Sequence, residues 1–328
     1  MAYSNEVVRK ARAELASRKA DHESQTLARL HNAYAQVPRI KEIDILLRKS
    51  MAVAMQTVFQ TGSDAKAAME EVKQANLALQ AERKALIEAH FGPGYLDETP
   101  ICPKCGGSGY IGTFMCQCLR ELCRRQQEKE VALLADPGQH FGAFRLEYYS
   151  DRPDPKTGIS PRAIMARGFD ICRDYAEHFS SASGNLLFNG GTGLGKTFLS
   201  ACIAKEVAAK GYSVAYETAS HLFSKLEKHR FHPDEETALE YKRFFECDML
   251  IIDDLGTELP GQFVNSALYT LINDRLLDRK SMLISTNLTM EEVAKRYSPQ
   301  IRSRLQGSFL LLPFMGQDIR VMLNNRGF

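Results

Sequence analysis

The segment that most constrains this chain is GGTGLGKT at residues 190–197, which fits the pattern G-x-x-x-x-G-K-[S/T]. The apolar run NLLFN precedes it and the helix-forming run TFLSACIAKEVAAK overlaps its end. In such a loop glycines let backbone N–H groups face phosphate oxygens, the lysine adds charge, and the threonine hydroxyl binds magnesium. This context disfavours a chance glycine-rich turn and predicts an ATP site. The predicted nucleotide-binding residues are Gly190, Gly191, Thr192, Gly193, Leu194, Gly195, Lys196 and Thr197.

Apolar runs alternate with helical stretches through the C-terminal half of the chain. After NLLFN, the runs are SVAYE, MLIID, MLIST and FLLLP. Strands that alternate with helices indicate βαβ units and a parallel sheet. The sequence therefore predicts an α/β fold with five parallel strands.

Length and composition set the broad class of the protein. The chain has 328 residues, of which 44% are hydrophobic and 25% charged, as is typical of a globular protein with more than one domain. It contains no run of eighteen apolar residues, and its N-terminus lacks the apolar segment of a secretory signal. A cytoplasmic protein with no membrane contact is predicted.

Two carboxylates follow the buried-type strand MLII, at the strand end where α/β sheets bind ligands. Asp253 is predicted to hold magnesium together with Thr197. Asp254 is predicted to polarise the attacking water, although it is one methylene shorter than glutamate. Glu258 is an alternative for that task, and a solvated turn carboxylate is the alternative for Asp254.

Polar residues near the last two strands complete the predicted site. Asn287 follows MLIST and is placed to orient water, or else it is a plain strand-end asparagine. Arg302 and Arg304 lie in SPQIRSRL before the last strand, where either suits a neighbouring subunit's γ-phosphate or a surface salt bridge. Arg320 follows that strand and is predicted to reach the nucleotide of its own subunit.

Residues 102–118 read CPKCGGSGYIGTFMCQC and predict a compact metal module. Four thiolates in tetrahedral array suit structural zinc, and metal binding would supply the folding energy of so short a segment. The predicted zinc ligands are Cys102, Cys105, Cys116 and Cys118. Cys123 is an alternative for Cys118, and an iron–sulfur cluster or uncoordinated cysteines are alternatives for zinc.

The rest of the chain divides by composition. Residues 1–99 form a predicted helical region, with apolar residues at helical spacing from Ile40 to Val58 and a later helix capped by Ser63 or Asp64. The cysteine-rich module is assigned to 100–123, a connector to 124–160 and the ATPase domain to 161–328.

The segment FSKLEKHRF, residues 223–231, combines basic and aromatic residues. Such a combination suits single-stranded DNA. At helical spacing, Phe223 and Leu226 fit a protein core equally well.

Together these motifs resemble the AAA+ ATPases, and among them the DnaC/DnaI-type loaders of the replicative helicase and the related IstB transposition ATPases. The matching stretches are GGTGLGKTFL, LIIDDLGTE, LISTNL, IRSRL and LPFMGQDIR. The resemblance assigns Walker A to residues 190–197, Walker B to Asp253 with Asp254, sensor 1 to Asn287, the arginine finger to Arg304 and sensor 2 to Arg320. Only fifteen residues follow Pro313, so the resemblance implies an ATPase domain without the full helical lid of AAA+ proteins.

Three functions are consistent with this resemblance. The favoured one is an ATP- and Mg²⁺-dependent helicase loader, which binds the replicative helicase through residues 1–99, delivers it to single-stranded DNA during replication initiation and self-associates through its ATPase domain. The second is an IstB-like transposition ATPase. The third is a zinc-containing adaptor that binds ATP and hydrolyses it little.

Overall fold

The computed structural model describes residues 3–60, 65–134, 138–155 and 158–324. The chain forms two compact units, one of Ala13–Cys116 and one of Met1–Arg12 with Gln117–Phe328. The functional division at residues 99, 123 and 160 stays a prediction.

The first unit is built on long helices: α1 (Asn5–Gln36, whose first turns belong to the second unit), α2 (Pro38–Gln60) and α3 (Ala65–Phe91). Pro38 separates α1 from α2 because proline disfavours helical backbone at the residue before it and suits the first turn of a helix. Val37, Ile40 and Ile87 are buried in a small core. Ser63 and Asp64, and the side chains of residues 51–69, including Val58, lie outside the described residues.

A two-stranded antiparallel hairpin, β1 (Tyr110–Ile111) and β2 (Phe114–Met115), lies between the two cysteine pairs. Helix α4 (Gln117–Leu134) follows directly and opens the larger part of the second unit.

The second unit alternates strands and helices, as the apolar runs predict. After 3-10 helices at Phe141–Ala143 and Leu146–Tyr148, its elements are α5 (Pro161–Glu177), β3 (Asn185–Gly190), α6 (Lys196–Ala209), β4 (Val214–Thr218), α7 (Ala219–Phe231), α8 (Glu235–Glu246), β5 (Met249–Leu255), α9 (Gln262–Leu277), β6 (Ser281–Thr286), α10 (Met290–Arg296), α11 (Pro299–Ser308), β7 (Phe309–Phe314) and α12 (Ile319–Asn324).

Five parallel strands form one sheet in the order β4-β5-β6-β3-β7, which confirms the predicted fold class. Every residue of β6 is buried, and a hydrophobic core covers each face of the sheet. Strand β3 lies between β6 and β7, so chain order reverses beside it. Ligands bind open α/β sheets at such a reversal, beyond the carboxyl ends of the strands.

Helix α4 covers the edge of the sheet at β4. The Val214 N–H donates to Gln127 Oε1 at 3.0 Å, and Gln127 Nε2 donates to Tyr212 O at 2.7 Å. Arg243 Nη2 donates to Val214 O at 3.3 Å. These side chains satisfy backbone groups that an exposed edge would offer to another strand. Part of the predicted connector is therefore packed on the sheet.

The remaining expectations concern the chain end and membranes. Beyond β7, the described residues contain the six-residue helix α12 and no full helical lid. In the described part of the chain, no helix combines the length and apolar character that a membrane crossing requires.

Candidate nucleotide site

The predicted phosphate loop connects β3 to α6, and its backbone requires glycine at two positions. Gly193 has φ +68° and Gly195 has φ +90°, both left-handed. A Cβ on Gly193 would lie 1.9 Å from Asp318 Oδ1, and one on Gly195 would lie 2.9 Å from the Tyr149 hydroxyl. Conformation and space therefore both exclude larger residues at these positions.

Lys196 is buried at the start of α6. Its ammonium donates to Gly190 O at 2.8 Å, to Gly191 O at 2.7 Å and to Asn287 Oδ1. Burial lowers the pKa of Lys196, whereas the charges of Asp254 and Asp253 raise it. The predicted Walker A lysine and sensor 1 asparagine therefore meet at the ends of adjacent strands.

The two carboxylates at the end of β5 have different surroundings. Asp253 is 3% exposed, and its Oδ1 and Oδ2 accept hydrogen bonds from the Ser285 hydroxyl at 2.5 Å and the Tyr216 hydroxyl at 3.0 Å. Asp254 has a left-handed backbone with φ +57°. Burial and then the charge of Asp253 raise the pKa of Asp254, and Lys196 opposes this shift. A carboxylate with a raised pKa suits proton acceptance.

A cavity of about 490 Å³ lies over the phosphate loop. Its lining includes Asp254, Asn287 and Arg320 as well as six loop residues, Thr192, Gly193, Leu194, Gly195, Lys196 and Thr197. Asp253, Gly190 and Gly191 are not among the lining residues. The backbone N–H of Ile319 donates to Gly193 O at 3.0 Å, so the segment that carries Arg320 is fastened to the loop.

Sequence reasoning missed one wall of this cavity. Phe144, Arg145, Tyr148 and Tyr149 line it, although they fall in the predicted connector. Tyr149 donates from its hydroxyl to Leu194 O at 2.9 Å, and its ring stacks on Phe144 with centroids 5.8 Å apart. Aromatic walls of this kind suit the flat face of a nucleotide base. The cluster of aromatic residues in FGAFRLEYY, 141–149, is the signal that could have indicated it.

Three other predicted residues lie away from the cavity lining. Arg304 lies on α11 with its guanidinium carbon 5.9 Å from the centre of the Tyr269 ring. Arg302, on the same helix, has a buried Nε with no hydrogen-bond partner among the described residues. Glu258 is buried and accepts from Gly256 N at 2.9 Å and from the Tyr297 hydroxyl. Of the two carboxylates considered for the water, Asp254 is the one that faces the cavity.

The four predicted zinc ligands form one cluster. The sulfur atoms of Cys102, Cys105, Cys116 and Cys118 all lie within 4.8 Å of one another. The Gly109 N–H donates to Cys105 Sγ at 3.3 Å. A set of four thiols at this spacing fits a tetrahedral metal ion. Cys123 is not a member of the cluster, and burial raises its pKa to about 11.

The predicted DNA-contacting segment forms the C-terminal part of α7, with some of its side chains buried and others exposed. Phe223 and Leu226 are buried in the core, as the alternative interpretation expects. Phe231 is 63% exposed, and the Arg230 guanidinium lies 5.7 Å from its ring centre and 5.4 Å from that of Phe263. The exposed end of the helix therefore keeps an aromatic and a basic group together.

Part of the second unit resembles known ATP-binding proteins in sequence. Residues 174–300 match the sequence model of the IstB-like ATP binding proteins. The replicative helicase loader DnaC of Escherichia coli K12 is 23% identical over 157 residues, which cover 48% of this chain and 64% of DnaC. An insertion sequence IS1162 putative ATP-binding protein of Pseudomonas fluorescens is 30% identical over 101 residues, or 31% of this chain and 43% of that protein. The chain thus spans less than two-thirds of the length of DnaC.

Among solved structures, a crystal structure of the DnaC helicase loader is similar to this chain, with a TM-score of 0.46 and 19% sequence identity. The similarity covers 55% of this chain and 100% of that one. In sequence, residues 174–300 are therefore similar to the IstB-like ATP binding proteins, and about half of the chain is similar to the helicase loader DnaC.

Proposed function

We propose that the chain is a Mg²⁺-dependent ATPase that loads a replicative helicase onto single-stranded DNA. The observation that carries the ATPase proposal is that Lys196, Asp254, Asn287 and Arg320 line one and the same cavity above a glycine-rich loop. A phosphate-binding lysine, a carboxylate, a neutral amide and a second cation are the groups that phosphoryl transfer requires.

Each residue has a defined task in this proposal. Lys196 and the loop N–H groups bind the phosphates, while Asp254 accepts a proton from water that Asn287 orients. Arg320 contacts the γ-phosphate from within the subunit. Thr197 and Asp253 would hold Mg²⁺, which neutralises charge on the β- and γ-phosphates when bound.

The arginine of a neighbouring chain completes the site in this proposal. Arg304 is absent from the lining of its own cavity and lies instead beside Pro299, Gln300 and Ser303 on α11. Its planar, permanent charge suits the γ-phosphate of a second copy. Self-association through the ATPase domain follows from this assignment.

Helicase loading rests on the similarity to DnaC and on the presence of a separate helical unit. Residues 13–116 form a compact unit that contributes none of the described residues lining the cavity. We assign helicase binding to the helical region and a structural role to zinc in the four-cysteine cluster. Single-stranded DNA would contact the exposed end of α7 through Phe231 and Arg230, because bases stack on aromatic rings and phosphates pair with cations. The protein would act in the cytoplasm.

A transposition ATPase is the second candidate. The IstB-like match and the IS1162 relative favour it, since local identity to that relative reaches 30%. The helical unit and cysteine cluster favour the loader. An adaptor with little hydrolysis is the third candidate, because Asp254 is one methylene shorter than a glutamate.

Binding assays separate these candidates. The full chain should retain a hexameric replicative helicase in a pull-down and fail to retain an IS21-type transposase tested in parallel. The opposite result would favour the transposition ATPase. ATP turnover that disappears in Asp253→Asn would exclude the adaptor, and the absence of turnover with helicase and DNA present would favour it.

A further inference from the structure

Two hydroxyl groups from different strands hold the carboxylate of Asp253. Tyr216 is on β4 and Ser285 is on β6, the two neighbours of β5. The Tyr216 hydroxyl donates to Oδ2 at 3.0 Å and the Ser285 hydroxyl donates to Oδ1 at 2.5 Å. Because each oxygen has its own donor, rotation of the carboxylate about its Cβ–Cγ bond is restricted.

The backbone of β5 explains why Ser285 is available for this contact. The pairing of β5 with β6 shifts register between Ile252 and Leu255, so Asp253 and Asp254 leave the regular ladder. The Ser285 hydroxyl accepts a hydrogen bond from the Asp254 N–H at 2.9 Å and donates one to the Asp253 carboxylate. One buried serine therefore connects both carboxylate residues at the end of the strand.

The Tyr216 contact has a comparable electrostatic basis. Its ring packs against the core on one face of the sheet. Burial and then the charge of Asp253 raise the pKa of Tyr216 far above its ordinary value, so its hydroxyl remains a neutral donor. Asp253 itself is buried, and a buried polar group needs hydrogen-bond partners such as these two hydroxyls.

We propose that Tyr216 and Ser285 are positioning residues that fix the Asp253 carboxylate in the orientation that binds the nucleotide-associated Mg²⁺. This inference rests on the proposed ATPase function. Groups that orient a metal ligand tune metal affinity, and their loss typically weakens it by about 10- to 100-fold. Among the described residues, the hydrogen bonds of these two hydroxyls go to Asp253 and Asp254 and not to the phosphate loop.

The test compares Tyr216→Phe and Ser285→Ala with two control variants, in which the same kinds of substitution remove hydroxyls at other positions. Tyr175→Phe removes a hydrogen bond from α5 to Gly184 O, and Ser281→Ala removes one to Ser183 O at the other end of β6. For each full-length protein, ADP affinity is measured in EDTA, and Mn²⁺ affinity of the ADP complex is measured by electron paramagnetic resonance.

We expect Tyr216→Phe and Ser285→Ala each to raise the Mn²⁺ dissociation constant by about 10-fold, with metal-free ADP affinity and thermal midpoint matching their controls. Unchanged Mn²⁺ affinity in both variants would overturn the inference while leaving the ATPase proposal intact. A parallel loss of ADP affinity in EDTA would also overturn it, because the hydroxyls would then support the whole site. Wild-type protein that binds ADP but no Mn²⁺ would instead contradict the proposed metal site itself.

Discussion

The ammonium of Lys196 donates a hydrogen bond to the side-chain oxygen of Asn287. These residues lie beyond the carboxyl ends of β3 and β6, which pair in parallel. The contact joins the residue assigned to phosphate binding with the residue assigned to water orientation. A change in either side chain is therefore expected to affect the other.

Lys196→Ala should abolish tight ATP binding, because the loop N–H groups alone do not neutralise the β- and γ-phosphate charge. Loss of a hydrogen bond to a charged group costs about 1.5–3 kcal/mol, which corresponds to roughly a 10- to 150-fold higher dissociation constant. Equilibrium binding of a fluorescent ATP analogue measures this change. Lys242→Ala, on the exposed face of α8, is the control, and equal affinity in the two variants would contradict the assignment.

Asp253→Asn should bind ATP and fail to hydrolyse it. The amide retains the shape of the carboxylate and loses the charge that Mg²⁺ requires. Since groups that merely orient a ligand alter metal sites by about 10- to 100-fold, we expect turnover to fall by at least about 100-fold. A steady-state phosphate-release assay against the surface control Asp170→Asn provides the measurement. Turnover near the wild-type rate would remove Asp253 from the metal site.

Arg304→Ala should bind ATP normally and lose hydrolysis by about a thousand-fold, the effect of an arginine finger in other phosphoryl-transfer sites. Mixing it with Lys196→Ala should restore part of the activity, because one variant binds nucleotide and the other supplies the arginine. ATPase assays at rising protein concentration, with helicase and DNA present, measure this complementation. An inactive mixture, under conditions where wild type turns over, would reject the shared site and make Arg302 the next candidate.

Elemental analysis should find one zinc per chain. Cys118→Ser should lose the metal because its sulfur belongs to the four-cysteine cluster, whereas Cys123→Ala should retain it. Iron in place of zinc, or no metal in the wild type, would contradict the assignment. Loss of zinc in Cys123→Ala alone would show that Cys123 is the fourth ligand.

Alkaline pH should destabilise the fold through Cys123. Burial raises its pKa from 9.0 to about 11, so the folded state holds this proton more tightly than the unfolded state. The resulting stabilisation is complete below about pH 9 and is lost as pH rises through about 11. Urea unfolding between pH 8 and 11 should show a shallower decline in the free energy of unfolding for Cys123→Ala than for wild type, and parallel curves would contradict this account.

Local sequence patterns predicted the strands, because each strand is a short apolar run. NLLFN became β3 and FLLLP became β7, which pair with each other although they are far apart in sequence. The glycine-rich end of β3 and the polar end of β6 place the phosphate loop and Asn287 at one edge of the sheet, because parallel strands end together. The four clustered sulfurs likewise agree with ligand spacing that is visible in the sequence.

Contacts between residues that are far apart in the sequence and belong to no motif could not be predicted from local sequence patterns. Gln127 reads as one polar residue of a charged helix, and its acceptance of the Val214 N–H depends on the packing of α4 against β4. The approach of Asp318 to Gly193 depends on where the chain goes after β7. Tyr216 has no motif either, because its role follows from strand order and from the register shift in β5.

The contacts of Gln127 also determine how this protein can be divided. A fragment that begins at Pro161 would contain all five strands and every predicted nucleotide-site residue, but it would lack α4. Its Val214 N–H and Tyr212 carbonyl would lose their partners and face solvent on an open strand. Such an edge recruits other strands, so we expect that fragment to precipitate or oligomerise irregularly, whereas the full chain keeps this edge covered.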